Sequence, residues 1–218
     1  MNILAIETTS QLATVAIRDH QGNITEESST ERLSHLQNLM PMIDAVLKKC
    51  QLQLGDINCI AVSSGPGSFT GIRIGIATAK ALAQFLAIDI VSVPTLNAMA
   101  YGYRDYKGIV CPKLDARRGQ IYGAAFIWKT ENGIKSCMEV VKPGPYMENA
   151  FKAQLAEMKL SDEVTFVGEE DQSAINVAKL GFDLYNRGMG TSYYGIKPNY
   201  MRLAEAEQKL HEKEKITG

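Results

Sequence analysis

The sequence predicts an α/β protein of two lobes, and three observations support this prediction. Apolar stretches of strand length alternate with helical patterns along the 218 residues, as in domains that combine sheets with helices. The order of three strands, a helix, a strand and a helix occurs in each half, roughly βββαβα. The stretch 102–108 (GYRDYKG) breaks the pattern between the halves. We therefore predict an N-terminal lobe over 1–103 and a C-terminal lobe over 104–218 that includes a C-terminal tail.

The elements of the first half follow from the spacing of apolar residues. Short strands are predicted at 3–6, 12–18 and 24–29, joined by polar turns. A helix is predicted over 34–49, because apolar side chains recur there every three or four positions. Its apolar stripe includes Leu36, Leu39, Met40 and Ile43.

A glycine-containing loop follows the next predicted strand, 57–62, and leads into a helix over 70–87. Strand 90–93 and helix 95–101 complete this half. Small residues recur every fourth position along the loop's helix, at Gly71, Gly75, Ala79, Ala83 and Ala87. Such a ridge lets another helix or sheet approach closely. We expect a protein contact at this helix.

The second half repeats the order with little residue identity. Strands are predicted at 109–114, 120–128 and 137–141, then a helix over 146–158, a strand at 164–167 and a helix over 173–185. The sequence Pro143, Gly144, Pro145 is expected to end the third strand. A duplicated strand-first unit is typical of the ribonuclease-H-like lobes that occur twice in the actin, Hsp70 and sugar-kinase group. This likeness concerns the fold and does not fix the function.

Composition excludes several classes of function. The formal net charge is −1, so a nucleic-acid-binding module is disfavoured. The four cysteines are scattered without a Cys-x-x-Cys pair, as is usual for reduced thiols in a cytoplasmic protein. No apolar run approaches the roughly 20 residues of a membrane span. The N-terminus lacks the pattern of a signal peptide, and a cytoplasmic location is expected.

The glycine loop fits no common phosphate-binding motif. A Walker A loop requires glycine and lysine where this chain has Thr70 and Gly71. In the dinucleotide-binding pattern the third glycine, Gly71, comes one residue late. Phosphate binding at the helix N-terminus remains an alternative to a structural turn. Gly67 and Ser68 are the candidate residues there.

Two acidic residues occupy corresponding positions in the two halves. Glu7 ends the first predicted strand, and Asp115 ends the first strand of the second half, next to Arg117 and Arg118. Both are candidate ligands of a magnesium–nucleotide complex. Hydrogen-bonded or ion-paired turns are the alternatives. None of the three histidines is paired at helical spacing, and we predict no metal site.

Four stretches together resemble the TsaB family, also called YeaZ, over essentially the whole chain. They are Ile3–Ser10 (ILAIETTS), Ser64–Gly75 (SGPGSFTGIRIG), Asp115–Tyr122 (DARRGQIY) and Lys197–Glu207 (KPNYMRLAEAE). The resemblance implies a role in making N6-threonylcarbamoyladenosine at adenosine 37 of tRNA. In that system TsaD is the transferase and TsaB its non-catalytic paralogue, joined by the ATPase TsaE. The resemblance also implies pairing with TsaD, or with a second copy, through the N-terminal helices.

One part of this resemblance can be compared with the residues. TsaD-like proteins carry a His-x-x-x-His metal pair, and the matching positions here are Thr95 and Met99. Neither a hydroxyl nor a thioether replaces imidazole as a ligand of such a metal. The transferase metal site is therefore expected to be absent, as is a glycoprotease site, and we expect no catalytic residues.

The expected function is that of a non-catalytic scaffold that activates the transferase by dimerising with it. We expect no intrinsic cofactor, with ATP or ADP possible at the partner interface, and contact with tRNA only indirectly. The alternative is a nucleotide-dependent phosphotransferase that uses Glu7, the glycine loop and Asp115 in the cleft between the lobes. The predicted interface combines the first helix with the helix after the glycine loop: Leu36, Leu39, Met40, Ile43, Thr70, Arg73, Ile74 and Ala77.

Overall fold

A five-stranded mixed sheet forms the centre of the first lobe in the computed structural model, which describes residues 1–29, 35–131, 134–158 and 163–201. Its strands lie in the order β3-β2-β1-β4-β5. The first three strands form an antiparallel meander, whereas β4 and β5 run parallel to β1. The bounds are β1 (Ile3–Glu7), β2 (Thr14–Arg18), β3 (Ile24–Ser28), β4 (Cys59–Ser63) and β5 (Asp89–Val93).

Both faces of this sheet are apolar, so both require a cover. Alternate residues of β1 point to opposite faces: Leu4 and Ile6 lie in one core cluster and Ile3 and Ala5 in another. Two helices, α1 (His35–Lys49) and α2 (Phe69–Leu86), cover the face of Leu4 and Ile6. The predicted α/β class is confirmed.

The second lobe contains a four-stranded sheet in the order β8-β7-β6-β9. β9 is parallel to β6, and the other pairs are antiparallel. Helix α4 (Glu148–Glu157) packs Phe151 and Leu155 on one face of this sheet. The strands are β6 (Ile109–Asp115), β7 (Gln120–Glu131), β8 (Ile134–Met147) and β9 (Val164–Val167).

Each lobe sends its last helix to the other sheet. Helix α3 (Thr95–Tyr101) follows β5, yet Leu96 and Met99 pack in the core of the second sheet. Helix α5 (Ala174–Leu184) follows β9, yet Val177 packs against β1, β4 and β5 of the first sheet. The predicted boundary at 103/104 lies between the two sheets, and both helices make contacts across it: α3 also places Ala98 in the core of the first sheet. The exchange gives each sheet a helical cover on both faces.

The first lobe also supplies hydrogen-bond acceptors for the free N–H groups at the start of α5. The Ala174 N–H donates to Thr14 Oγ1 at 2.8 Å, and the Ile175 N–H donates to Ser173 Oγ at 3.0 Å. Ser173 Oγ in turn donates to Glu26 Oε1 on β3 at 2.7 Å. Side chains of β2 and β3 therefore cap a helix that is distant in sequence.

The third strand of the second lobe continues beyond the predicted stop. β8 runs through Pro143 and Pro145 to Met147, and the helix begins at Glu148 rather than at Tyr146. The strand lies at the edge of the sheet, where a residue without an N–H removes no hydrogen bond if that side faces outward. Register shifts around Ala125 on β7 accommodate the irregular pairing.

The small-residue ridge of α2 faces the chain itself. A Cβ at Gly71 would lie 1.8 Å from the Thr8 carbonyl oxygen, and one at Gly75 would lie 2.2 Å from Thr8 Oγ1. Ala79 and Ala83 are buried in the same core. The expectation that this ridge is a surface for another protein is therefore wrong: it receives the turn after β1. Along the part of the chain that the structure describes, we find no helix with the length and apolar character needed to cross a membrane.

We predict that Gly71→Ala destabilises the fold by about 1–3 kcal/mol, because a rigid backbone carbonyl occupies the space of the new methyl group. This loss should exceed the gain in helix propensity from replacing glycine. Denaturant unfolding measures it.

The matched control is Gly55→Ala, since a Cβ at Gly55 meets nothing within 4 Å. It should change the free energy of unfolding by no more than about 0.5 kcal/mol. Equal stability of the two variants would contradict the close approach of α2 to Thr8.

Candidate functional site

A cleft of about 480 Å³ lies between the lobes. The turn after β1, the glycine loop, the end of β6 and the segment 199–201 contribute to its lining. The structure brings together three of the four predicted nucleotide-site residues there, namely Gly67, Ser68 and Asp115. The fourth, Glu7, lies beneath Thr9 and is not part of the lining.

The glycine loop rests directly on the turn after β1. Gly67 has φ +150°, and a Cβ there would lie 2.5 Å from the Thr9 carbonyl oxygen. The Ser68 N–H donates to that same oxygen at 2.7 Å. Ser68 Oγ accepts from the Gly71 N–H at 3.2 Å and caps α2. Packing and capping therefore account for these residues, and the Ser68 N–H is not available to a phosphate.

Glu7 is a fully buried carboxylate. One of its oxygens accepts from the Thr9 N–H at 2.5 Å and from Thr9 Oγ1 at 2.6 Å, and the other accepts from Ser63 Oγ. Burial raises the pKa of Glu7, and this effect outweighs the hydrogen bonds from Ser63 and Thr9, which lower it. A carboxylate that is 1% exposed and already engaged does not fit the role of a magnesium ligand.

Thr9 connects Glu7 to the second half of the chain. Its hydroxyl donates to Glu7 and accepts from Gln172 Nε2 at 2.8 Å. Thr95 Oγ1, at the start of α3, lies 3.3 Å from the same hydroxyl. No sequence pattern indicated that Gln172 belongs to this site, because only the packing of α5 on the first sheet brings it to this turn. These residues form a polar network at the base of the cleft.

The turn after β6 holds two arginines in left-handed backbone conformations. Arg117 has φ 63° and Arg118 has φ 55°, and both line the cleft. The Asp115 carboxylate accepts from the Arg117 N–H at 2.7 Å. Asp115 therefore serves as a hydrogen-bond acceptor within its own turn.

The positions that match the transferase metal pair lie inside the protein. Thr95 and Met99 are 0% and 1% exposed, and Met99 packs in the core of the second sheet. Within the described ranges, no three or more His, Cys, Asp and Glu side chains gather as a group able to hold a metal ion.

The apolar stripe of α1 is divided between core and surface. Leu39 and Ile43 are each 1% exposed and pack in the first core, so their assignment to a contact surface is corrected. Met40 is half exposed. The side chain of Leu36 and the predicted start of the helix at Ser34 fall outside the described residues.

The predicted residues of α2 lie on the side of the helix away from the core. Thr70, Arg73 and Ala77 are exposed, and Ile74 is partly buried. Phe85, which the sequence analysis missed, continues this side two turns further on and is 79% exposed. Helical spacing of four was available as a signal for Phe85, but the sequence did not show which side faces outward. We call this surface the outer α2 face: Thr70, Arg73, Ile74, Ala77 and Phe85.

We predict that Glu7→Gln changes how stability depends on pH. The unfolded chain releases the Glu7 proton near pH 4.5, whereas burial keeps it bound to higher pH in the native state. The native state therefore holds the Glu7 proton more tightly above pH 4.5, and the contribution of Glu7 to the free energy of unfolding falls as the pH rises. Glutamine does not titrate, so E7Q lacks this contribution. Urea unfolding of both proteins from pH 4.5 to neutrality measures the difference.

The control is Asp19→Asn. Asp19 is partly exposed, and the Asn23 side chain lowers its pKa below 3.8. Its stability difference from the wild type should therefore not vary over the window used for E7Q. Parallel pH profiles for E7Q and the wild type would contradict the raised pKa of Glu7.

Comparison with known proteins identifies relatives along the whole chain. The family model described as TsaD, tRNA N6-adenosine threonylcarbamoyltransferase, matches residues 7–210. The tRNA threonylcarbamoyladenosine biosynthesis protein TsaB of Bacillus subtilis is 31% identical, and the alignment covers 99% of this chain and 100% of that protein. TsaB of Escherichia coli is 38% identical over 62% of this chain and 58% of its own length.

Two solved structures with the YeaZ name in their descriptions are similar to this chain over most of its length. YeaZ from Pseudomonas aeruginosa has a TM-score of 0.71 at 25% identity, covering 91% of this chain and 99% of its own. A protein described as similar to the peptidase YeaZ from Pseudomonas aeruginosa has a TM-score of 0.75 at 22% identity, over 92% and 99%. The two ribonuclease-H-like lobes are thereby confirmed. The chain belongs to the TsaB (YeaZ) family, within the TsaD-like family that the matching model describes.

Proposed function

We propose that this chain is a non-catalytic subunit in the biosynthesis of threonylcarbamoyladenosine in tRNA, and that it acts by binding a TsaD-type transferase. Its full-length similarity to proteins named for that pathway supports the pathway. The proposal places the protein in the cytoplasm, with a TsaE-type ATPase and a second copy of itself as further partners. Its contact with tRNA is indirect.

The outer α2 face is the observation that carries the proposed contact. Phe85 is 79% exposed, and Ala77 leaves the backbone open to a close approach. The opposite side of the same helix is buried against the sheet. A helix with small and aromatic side chains on its outer side is suited to packing against a partner helix. Met40 on α1 adds further apolar surface.

The residues at the former catalytic positions support a role without catalysis. The hydroxyl of Thr95 and the thioether of Met99 are poor substitutes for imidazole. Both side chains are buried, so neither presents a ligand to the cleft. The Glu7 carboxylate is used within the polar network at the base of the cleft.

We predict that Ala77→Arg weakens binding to the purified transferase about a hundredfold or more, because a bulky charge would be buried without a partner at the contact. Threonylcarbamoyladenosine formation in a reconstituted system should fall in parallel. Calorimetry measures the affinity, and nucleoside analysis of the tRNA measures the product.

The matched control is Ala153→Arg, the same change at an exposed alanine of α4 in the second lobe. It should leave both the affinity and the product yield unchanged. Full modification of tRNA without this chain would contradict an activating role. Equal binding of the two variants would place the contact elsewhere.

A nucleotide-dependent phosphotransferase remains the second candidate, because the cleft brings Gly67, Ser68 and Asp115 together beside Arg117 and Arg118. That candidate requires tight ATP binding by the chain alone. The engaged state of Glu7 opposes it, since no free carboxylate is left at the end of β1 to hold magnesium. We propose instead that ATP or ADP is bound at the interface with the transferase.

We predict that calorimetry of the isolated chain with magnesium and ATP shows no binding at micromolar concentrations, whereas the complex with the transferase does bind. The same titration of Glu7→Gln should not differ, because that carboxylate is not exposed to the ligand. Micromolar binding by the isolated wild type, lost on Glu7→Gln, would favour the phosphotransferase.

A further inference from the structure

Arg73 is held in place on the outer α2 face by two aromatic rings. Its guanidinium lies 3.8 Å from the centre of the Phe69 ring, and its Nε donates to Tyr200 Oη at 3.0 Å. The rings of Phe69 and Tyr200 are themselves 4.7 Å apart. Stacking and a hydrogen bond together limit the rotamers of a side chain that is otherwise flexible on a surface.

Tyr200 is fixed by the glycine loop as well as by its contacts with α2. The preceding residue, Asn199, donates its N–H to the Ser64 carbonyl oxygen at 2.8 Å. A Cβ at Gly65 would lie only 2.5 Å from the Asn199 carbonyl oxygen, so the two segments are in close contact. Tyr200 also packs against the core of the first lobe. The segment around Tyr200 is therefore a rigid support for the Arg73 side chain.

The charge of Arg73 lacks an acidic partner in the described part of the chain. The ion pairs found there join other residues. Its helical neighbours three and four positions away are Phe69, Thr70, Ile76 and Ala77, none of which is charged. Only Nε of Arg73 donates to Tyr200. The two terminal nitrogens of the guanidinium point away from that hydrogen bond. Two parallel N–H donors are the arrangement that binds a carboxylate.

Building on the proposed function, we propose that Arg73 binds a carboxylate of the transferase and that Tyr200 is the positioning residue that holds Arg73 for it. The partner contact then includes the C-terminal segment as well as the helices. A guanidinium already fixed in its bound rotamer loses less side-chain entropy when the complex forms. An exposed ion pair of this kind also makes affinity depend on salt.

The test is a double-mutant cycle on the affinity of the full chain for the purified transferase. Arg73→Ala should weaken binding about thirtyfold, and Tyr200→Phe, which keeps the ring and removes only the hydroxyl, about fivefold. In the Arg73→Ala background, Tyr200→Phe should have no further effect, because there is no guanidinium left to position. Raising the salt concentration should weaken the wild type more than Arg73→Ala.

The control is Tyr146→Phe in the second lobe, which also removes a hydroxyl that donates a hydrogen bond, to the Lys142 carbonyl oxygen at 2.7 Å. It should leave the affinity unchanged. An equal loss of affinity from Tyr200→Phe with and without Arg73 would overturn the positioning role. An affinity that neither Arg73→Ala nor Tyr200→Phe alters would overturn it too. Those results leave the proposed function standing. Absence of any complex with the wild type contradicts the proposed function and this inference with it.

Discussion

The approach of Thr8 to the bare backbone of α2 sets the arrangement of the first lobe. Thr8 Oγ1 donates to the Gly71 carbonyl oxygen at 2.7 Å, in a space that a Cβ at Gly71 or Gly75 would occupy. The contact fixes which side of α2 faces the sheet, and so turns Arg73 and Phe85 outward. It also fixes the next residue, Thr9, whose carbonyl oxygen accepts from the Ser68 N–H. The cleft, the helix cap and the outer α2 face all depend on this one packing constraint.

The polar network below Thr9 explains how an acidic residue is retained in an apolar interior. An unpaired carboxylate at that depth costs several kcal/mol, and three donors from Thr9 and Ser63 offset part of this cost. Because Thr9 also accepts from Gln172, the network ties the turn after β1 to the start of α5. The carboxylate is therefore linked, through the Thr9 hydroxyl, to the segment just before the exchanged helix. This is a structural task, and it occupies the atoms that a nucleotide site would need.

The sequence predicted what depends on local patterns and missed what depends on distant contacts. Strands such as 164–167 and the helix 95–101 were predicted correctly, since apolar spacing and turn residues determine them. The exchange of α3 and α5 was not predicted, because the same apolar stripe suits either sheet. Nor did spacing show that Leu39 and Ile43 face the core while Met40 faces outward. Pro143 and Pro145 suggested that the strand ends there. A strand accommodates proline when it lies at the edge of a sheet, and the sequence does not show that β8 is an edge strand. Gln172 was also missed, because only the packing of α5 on the first sheet brings it to the cleft.

The segment 199–201 connects the two surfaces on which a partner or a ligand would act. Asn199, Tyr200 and Met201 line the cleft, while Tyr200 also holds Arg73 on the outer α2 face. Met201 packs against the core of the second lobe and Tyr200 against that of the first. The backbone between Tyr200 and Met201 is therefore anchored in both lobes. The wall of the cleft and the support of Arg73 are therefore built from one short stretch of backbone.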